Sequence, residues 1–395
     1  MANAGSFDPD RQAQAKRYSR LRRGLSLAEM ALGGAYLTAW VIAPWGRQVR
    51  DGLAILADRW NLPSGPTDAF VLLGVALALF APWWLLSLPF DIVAGYRLPH
   101  RFGLSNQRAG DWILDRLKGL ALGTALGAPL LLTFYAVLPW LTPWWVWASV
   151  GYAGLSVIFA VLVPIVFLPI FNRLRPLGEE HGELHDRLTR LSQSAGVRVR
   201  RVDTIDLSRR TKAANAMLVG LGRTRRIVVG DTLLDSFDVD EAETVVAHEL
   251  GHHAHGDIAS GLLVQAAATV VALATVDLVL RWLVHSGRVE SLVDPAGWPA
   301  FVWAWSAVSF LEAPLVNAYS RWREGRADLF ALRLSAKPEA FARAMTRLAD
   351  QNLSEANPPG WAVFWFGTHP PLAQRVEMAR RVGRTASFRP PAAGN

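Results

Sequence analysis

The sequence predicts a predominantly α-helical polytopic membrane protein with about six transmembrane helices and an α+β module between the fourth and the fifth. Three observations predict this fold class. The 395-residue chain is 51% hydrophobic, contains 17 tryptophans and has a mean hydropathy of +0.20. Its long apolar segments reach the ~20 residues that a helical crossing of the bilayer needs. The hydrophilic stretch at 172–257 combines helix-like and strand-like periodicity.

Composition excludes several classes of site. The chain has no cysteine, which excludes disulfides, thiolate zinc ligands and a cysteine nucleophile. A net charge of +8 raises the question of nucleic-acid binding, but the basic residues lie mainly between the apolar segments. We therefore attribute the charge to membrane topology and expect no nucleic-acid partner.

The first apolar segment follows a basic stretch, as a signal peptide would. It is too long and lacks a clear small-residue cleavage site, so we expect a retained anchor. The predicted spans are 27–45, 69–90, 117–138, 145–170, 258–284 and 298–316.

These spans divide the chain into successive parts. They are a basic cytoplasmic N-terminus at 1–24, a four-helix transmembrane region at 25–170, the module at 171–257, two further transmembrane helices at 258–318, a C-terminal cytoplasmic part at 319–388 and a disordered tail at 389–395.

Basic residues predict the orientation of these parts. With a cytoplasmic N-terminus, the second inside loop is rich in Arg and Lys, whereas the outside loops hold only Arg47, Arg50 and Arg59, then none, then Arg288. This bias follows the rule that cytoplasmic loops carry the excess of positive charge. Both termini and the module are therefore expected in the cytoplasm.

The module has its own pattern of elements. Leucines at helical spacing predict a helix at 183–195, and the alternation in "VRVRRVDTID" predicts a strand. The stretch "AMLVGLGRTRRIVVGD" predicts two strands around a turn at 222–224. Asp238, followed three residues later by Glu241, predicts the capped start of another helix.

That helix carries "HELGH", in which His248 and His252 are four residues apart and Glu249 directly follows the first. The spacing places both imidazoles on one face, where they can bind zinc while the glutamate acts as general base. The bare pattern occurs by chance, but the polar helix start and the small residues Gly251 and Ala254 favour a metal site. We therefore interpret the module as a zincin-like α+β metalloprotease module.

A zinc site with one open position needs a third protein ligand. His255 lies two helical turns from His248, a long reach for one ion, and an interfacial polar role would explain both His255 and His253. Glu324 is the better candidate, because Asp328 shares its helical face and can orient a ligand imidazole. Taken alone, these two acids would be interpreted as a solvated face paired with neighbouring arginines.

With these residues the chain resembles the type-I CAAX prenyl proteases, a family of integral-membrane zinc proteases, and their bacterial relatives. The resemblance covers most of the chain, through the four spans before the module and a series of motifs in matching order. The motifs are "HRFGLSNQ", "PIFNRLRPL", "SRRTKAANAM", "RRIVVGDTLL", "HELGH", "EGRAD" and "HPPLAQR".

The resemblance implies a ligand set for one Zn²⁺ per chain, formed by His248, His252 and Glu324. It also implies catalysis by Glu249 and an orienting role for Asp328.

It implies further active-site roles for Asn215, His369 and Arg375. The strand from Asn215 through Ala216 to Val219 can pair its edge with an extended substrate, although Asn215 would also suit a turn. His369 and Arg375 can donate to the oxyanion of a tetrahedral intermediate. Without the resemblance, Arg375 would be interpreted as a solvated helix residue.

Two positions depart from eukaryotic members of the family. Ala213 stands where they usually carry a histidine, and Met217 where they carry an aromatic residue. Eukaryotic members also have seven spans around a large intramembrane chamber, whereas six are predicted here. These departures leave the zinc chemistry intact and leave open whether prenylated proteins are substrates.

The sequence thus predicts a zinc metalloendopeptidase that cleaves membrane-associated proteins at the cytoplasmic face of a bacterial inner membrane. Its expected partners are membrane lipid and a peptide or protein substrate, lipid-modified or membrane-inserted. Two alternatives remain: a heat-shock-type quality-control protease, and a catalytically idle zinc-binding scaffold. Retention of Glu249, which zinc binding does not need, favours an enzyme.

Overall fold

A computed structural model describes residues 6–220 and 222–385, so the predicted tail at 389–395 lies outside the described residues. Within that part, six helical stretches are long and apolar enough to cross a membrane, and each overlaps a predicted span. They are Pro9–Ile42, Thr67–Arg101, Ala109–Trp140, Trp144–Phe171, Asp257–His285 and Pro295–Ser335. The predicted fold class is confirmed.

The helices before the module form the N-terminal half of the membrane region. They are α1 (Pro9–Ile42), α2 (Trp45–Arg59), α3 (Ser64–Asp91), α4 (Leu98–Arg101), α5 (Ala109–Val137), α6 (Trp144–Leu162) and α7 (Leu168–Phe171). One π-helical turn precedes α4 and another precedes α7, at Ile92–Arg97 and Val163–Phe167.

The module and the C-terminal half contain all the strands of the described chain. Their elements are β1 (Leu174–Pro176), α8 (Gly182–Ser194), β2 (Arg201–Ile205), β3 (Ala216–Val219), β4 (Arg226–Gly230), α9 (Asp231–Leu234), α10 (Val239–Ala254), α11 (Asp257–His285), α12 (Trp298–Ser335), α13 (Pro338–Gln351), α14 (Gly360–Phe366) and α15 (Leu372–Arg384).

Two helices continue across the predicted boundaries. Residue 24 lies inside α1, which begins where the Asp8 carboxylate accepts the N–H groups of Asp10 and Arg11. Residue 318 lies inside α12, which runs on without a break from an apolar stretch into "SRWREGRADLFAL". One continuous helix therefore joins the sixth span to the C-terminal part.

The sheet has the order β1–β2–β4–β3. The predicted hairpin is confirmed, because β3 and β4 are antiparallel, whereas β2 and β4 are parallel. Strand β3 lies at the edge, with one side unpaired by other strands. The core of the module lies between this sheet and the surrounding helices, and it includes Leu188, Ile227 and Phe341.

The predicted capping of α10 is confirmed. The Asp238 carboxylate accepts the Glu241 N–H at 2.8 Å, and the Glu241 carboxylate accepts the Asp238 N–H at 3.1 Å. This reciprocal pair satisfies two backbone donors that the first turn of a helix leaves free. It fixes where the helix carrying the histidines begins.

Candidate metal centre

Two helices bring three metal-ligand side chains together. On α10, the Nε2 atoms of His248 and His252 lie 3.2 Å apart. On α12, the Glu324 carboxylate lies 3.2 Å from His248 Nε2 through Oε2 and 3.4 Å from His252 Nε2 through Oε1. The three ligand atoms lie within 4.8 Å of one another. The structure thus brings the predicted set together.

A glycine allows these helices to approach closely. A Cβ on Gly251 would lie 3.1 Å from the Ala327 Cα and 3.2 Å from the Ala327 carbonyl oxygen. Ala327 is itself fully buried. Small residues at the crossing let the two backbones pack closely, and Glu324 can therefore reach across to the histidines.

His248 is oriented from its other ring nitrogen. Its Nδ1 lies 2.8 Å from Asp328 Oδ1, and Asp328 is fully buried. Arg375, on α15, donates to both oxygens of this carboxylate, through Nε at 2.8 Å and Nη2 at 2.5 Å. This bidentate pairing neutralises a carboxylate that burial alone would disfavour. Arg375 therefore contacts the site mainly through Asp328, and its Nη2 also lies 3.4 Å from His248 Nδ1.

His252 has a corresponding contact that the sequence analysis missed. Its Nδ1 lies 2.8 Å from Oδ2 of the buried Asp257. The only sequence signal is an acid five residues after His252, at the start of an apolar span. That position suggests a membrane boundary, because helical spacing does not bring residues five apart onto one face.

Glu249 lies beside the cluster, half-buried on α10. Burial raises the pKa of its carboxyl, and the neighbouring His248 and His252 imidazoles and the Leu218 backbone in β3 partly offset the rise. His253 Nε2 lies 3.0 Å from the Leu218 carbonyl oxygen. The edge strand and the helix are therefore connected at Leu218.

The remaining predicted residues lie at different depths. His369 is exposed over 59% of its side chain, and its Nε2 lies 3.3 Å from Glu324 Oε1. Ala216 is buried in β3, whereas Asn215 is exposed just before that strand, and its carbonyl accepts the Gly230 N–H at 2.9 Å. His369 therefore adjoins the cluster, and Asn215 contributes to the pairing of β3 with β4.

His255 and the arginines of α12 have other contacts. The exposed His255 ring lies 5.4 Å from the ring of Phe330, at the end of α10. Arg321 donates to the carbonyls of Val363 and Gly367. Arg323 and Arg326 both bind Asp257.

The donor set fits a bound cation. Glu324 Oε2 is buried and accepts no hydrogen bond from the described residues, although it lies 3.2 Å from His248 Nε2. Burial lowers the pKa of His248, but Asp328 and Glu324 more than offset this effect and raise it to about 9. Two imidazoles and one carboxylate are ligands that zinc commonly takes, with a fourth position left open.

Comparisons with known proteins agree with this arrangement. The chain matches peptidase family M48 over residues 179–382 and the family described as CAAX prenyl protease N-terminal, five membrane helices, over residues 2–173. It is 25% identical to the uncharacterized metalloprotease YhfN of Bacillus subtilis, over 96% of this chain and 88% of that protein. It is 28% identical to CAAX prenyl protease 1 of Saccharomyces cerevisiae, over 82% of this chain and 74% of that protein.

A solved structure has the same fold. The crystal structure of S. mikatae Ste24p superposes with a TM-score of 0.83, at 24% identity, over 94% of this chain and 90% of that chain. Because the M48 match covers more than half of the residues, the chain belongs to peptidase family M48 and is a multi-pass membrane metallopeptidase of the CAAX prenyl protease type.

Proposed function

We propose that this protein is a zinc-dependent metalloendopeptidase that cleaves membrane-associated proteins at the cytoplasmic face of a bacterial inner membrane. The observation that carries the proposal is the convergence of His248, His252 and Glu324 on one point, with Glu249 beside it. These are the groups that hydrolysis of a peptide bond at a metal requires.

His248, His252 and Glu324 would hold the zinc. When bound, zinc would polarise the scissile carbonyl and make water more acidic. Glu249 accepts the proton of the attacking water and then passes it to the leaving amine. In the metal-free chain burial raises the pKa of this carboxyl, and a base of higher pKa accepts a proton more readily.

His369 and Arg375 take different roles in this proposal. Arg375 holds Asp328 with two of its nitrogens and thereby orients His248. His369 is exposed beside Glu324, with Nε2 3.3 Å from Glu324 Oε1 and Nδ1 2.8 Å from Thr368 Oγ1, and we assign it to donate a hydrogen bond to the developing oxyanion. Arg375 is therefore a positioning residue, and His369 is the one that touches the reacting carbonyl.

The edge of β3 is the proposed binding surface for the substrate backbone. In an antiparallel ladder, alternate residues face their partner strand. The Asn215 carbonyl faces β4, so the groups of Ala216 and Leu218 face away from it. Leu218 already contacts Glu249 and His253. Backbone pairing with an extended substrate therefore centres on Ala216, next to Asn215.

The proposed cytoplasmic orientation agrees with contacts at one end of the helices. Arg23 of α1 forms a 2.8 Å ion pair with Glu355, and Gln12 donates to Asp350 at the end of α13. The start of α1 therefore packs on the C-terminal part that completes the site. The excess of basic residues predicts that this end is inside.

The names of the relatives support a substrate class to test first. Several relatives are named CAAX prenyl protease 1, so we propose lipid-modified protein C-termini as the first class to test. A quality-control protease for misfolded membrane proteins is the alternative. It is kept because Ala213, just before the proposed binding strand, and Met217, within that strand, depart from the eukaryotic pattern.

The test uses the purified full chain with a peptide ending in a farnesylated CAAX sequence and the same peptide without the farnesyl group. We expect cleavage that 1,10-phenanthroline abolishes and added zinc restores. Preference for the farnesylated peptide supports the prenyl-protease assignment, and equal cleavage of both peptides supports the alternative. Cleavage that survives removal of all metal would contradict the proposed chemistry.

A further inference from the structure

We propose that Asp257 is a positioning residue for the metal, because it fixes the ring orientation and tautomer of His252 and connects the metal-binding helix to two membrane helices. The proposal rests on the proposed function, since it takes His252 as a ligand. It concerns a residue that neither the sequence motif nor the ligand cluster contains.

Asp257 contacts His252 directly. Asp257 is only 3% exposed, and its Oδ2 lies 2.8 Å from His252 Nδ1. A carboxylate at this distance accepts the Nδ1–H bond. The lone pair of Nε2 is then left on the side that faces His248 and Glu324. Carboxylates that hold the second nitrogen of a ligand histidine in this way fix its tautomer and raise its basicity.

Two arginines pair with Asp257. Arg326 donates to its other carboxylate oxygen at 2.7 Å, and Arg323 donates to its backbone carbonyl at 2.6 Å. A buried carboxylate needs such partners to stay ionised. Both arginines lie on α12, one turn or less from Glu324. The residues that hold Asp257 therefore belong to the helix that supplies the third ligand.

A backbone turn brings Asp257 to His252. Gly256 adopts a φ of +67°, the left-handed region that glycine enters without strain. This turn ends the metal-binding helix α10, and Asp257 is the first residue of the membrane helix α11. An acid in this position is also favoured by the partial positive charge at the start of a helix.

The two ligand histidines are thus held by two similar pairs. Asp328 with Arg375 orients His248 from α12 and α15. Asp257 with Arg326 orients His252 from α11 and α12. Correct orientation of His252 consequently depends on the packing of α11 against α12, so the membrane helices contribute directly to the geometry of the metal site.

The test measures zinc affinity by competition with a chelator in purified Asp257→Ala and Asp257→Asn. We expect Asp257→Ala to bind zinc roughly 10 to 100-fold more weakly, the usual loss when such a partner is removed. Asp257→Asn should lose less, because its amide oxygen can still accept the Nδ1–H bond. The matched control is Asp277→Asn, which removes another buried α11 carboxylate that binds Trp144 and Arg281 instead. Its zinc affinity should be unchanged.

Cobalt substitution separates positioning from folding. The visible spectrum of bound Co²⁺ reports ligand geometry, so it should change in Asp257→Ala and in Arg326→Gln, and stay as wild type in Asp277→Asn. Wild-type affinity and an unchanged cobalt spectrum in Asp257→Ala would overturn the role of Asp257 while leaving the proposed function intact. A wild-type chain that binds no zinc would overturn both.

Discussion

Glu324 reaches the histidines from α12, the second membrane helix after them, and its removal tests the ligand set. Glu324→Ala should lose most of the bound zinc, because only two imidazoles would remain to hold the ion. His255→Ala is the control, since the His255 ring packs on Phe330 and should leave zinc in place. Elemental analysis of both purified variants measures the zinc bound per chain. An empty site in His255→Ala with a full site in Glu324→Ala would contradict the assignment.

His248 predicts how zinc affinity depends on pH. Burial lowers the pKa of this residue, but Asp328 and Glu324 offset that effect and raise it to about 9 in the metal-free chain. Zinc must displace the proton that His248 therefore carries at pH 7, and competition from protons grows as the pH falls. We expect proton release on zinc binding at pH 7, much reduced at pH 9.5. Calorimetry in buffers of different ionisation enthalpy measures the number of protons released. Equal apparent enthalpies of zinc binding in all buffers at pH 7 would contradict the prediction.

At the scale of single residues, the sequence predicts only those site residues that a regular spacing marks. His248, Glu249 and His252 follow from a four-residue period, and Glu324 follows from its spacing to Asp328 together with the family resemblance. Asp257 could not be predicted, because its approach to His252 depends on the left-handed turn at Gly256. The pairing of Arg375 with Asp328 depends on the docking of α15, which leaves no local signal.

At the scale of helices, the metal site depends on the close crossing of α10 and α12. Two glycines provide a matched test of this dependence. Gly251→Ala should weaken zinc binding and destabilise the fold by about 1–3 kcal/mol, because the added Cβ would meet the Ala327 backbone at 3.1 Å. Gly325→Ala has no atom within 4 Å of the new Cβ. It should keep zinc and gain up to about 1 kcal/mol from helix propensity.

Zinc affinity and thermal unfolding of these two variants give the result. If Gly251→Ala bound zinc as tightly as Gly325→Ala, close approach of the helices would not be what positions Glu324.

The presence of the helices could be predicted from the sequence, but the residues at which they begin and end could not. Apolar length marks the spans, but hydropathy cannot show that α1 continues into its basic N-terminal part or that α12 continues past residue 318, since both extensions are polar. The three-residue strand β1 was missed because a stretch that short has no periodicity to detect.

The number of spans is the main question for the molecule as a whole. The matched N-terminal family is described with five membrane helices, whereas four of the apolar helices lie before the module in the described chain. Helix α2 is the longest of the other helices in that part of the chain. Its 15 residues reach only about 22 Å, short of the ~30 Å hydrocarbon thickness, and it carries Arg50 and Asp51. We infer that α2 does not cross the bilayer and that, in the proposed orientation, it lies at the outer surface.

Topology is tested with cysteines introduced into this cysteine-free chain. Ser64→Cys, at the start of α3, should react with an impermeant thiol reagent on intact cells. Glu179→Cys, at the start of the module, should react only after the membrane is opened. Both side chains are exposed, so a difference in labelling reports sidedness rather than burial. The reverse pattern would place the metal site outside.

We propose that this membrane metallopeptidase hydrolyses peptide bonds with zinc held by three residues and with a base that is not a ligand. Zinc content and cleavage rate measured on the same sample of Glu249→Gln test it most directly. We expect about one zinc per chain, as in wild type, with cleavage reduced by at least roughly 10²-fold, because the general base is lost while the ligands remain. Loss of zinc in this variant, or cleavage at the wild-type rate, would contradict it.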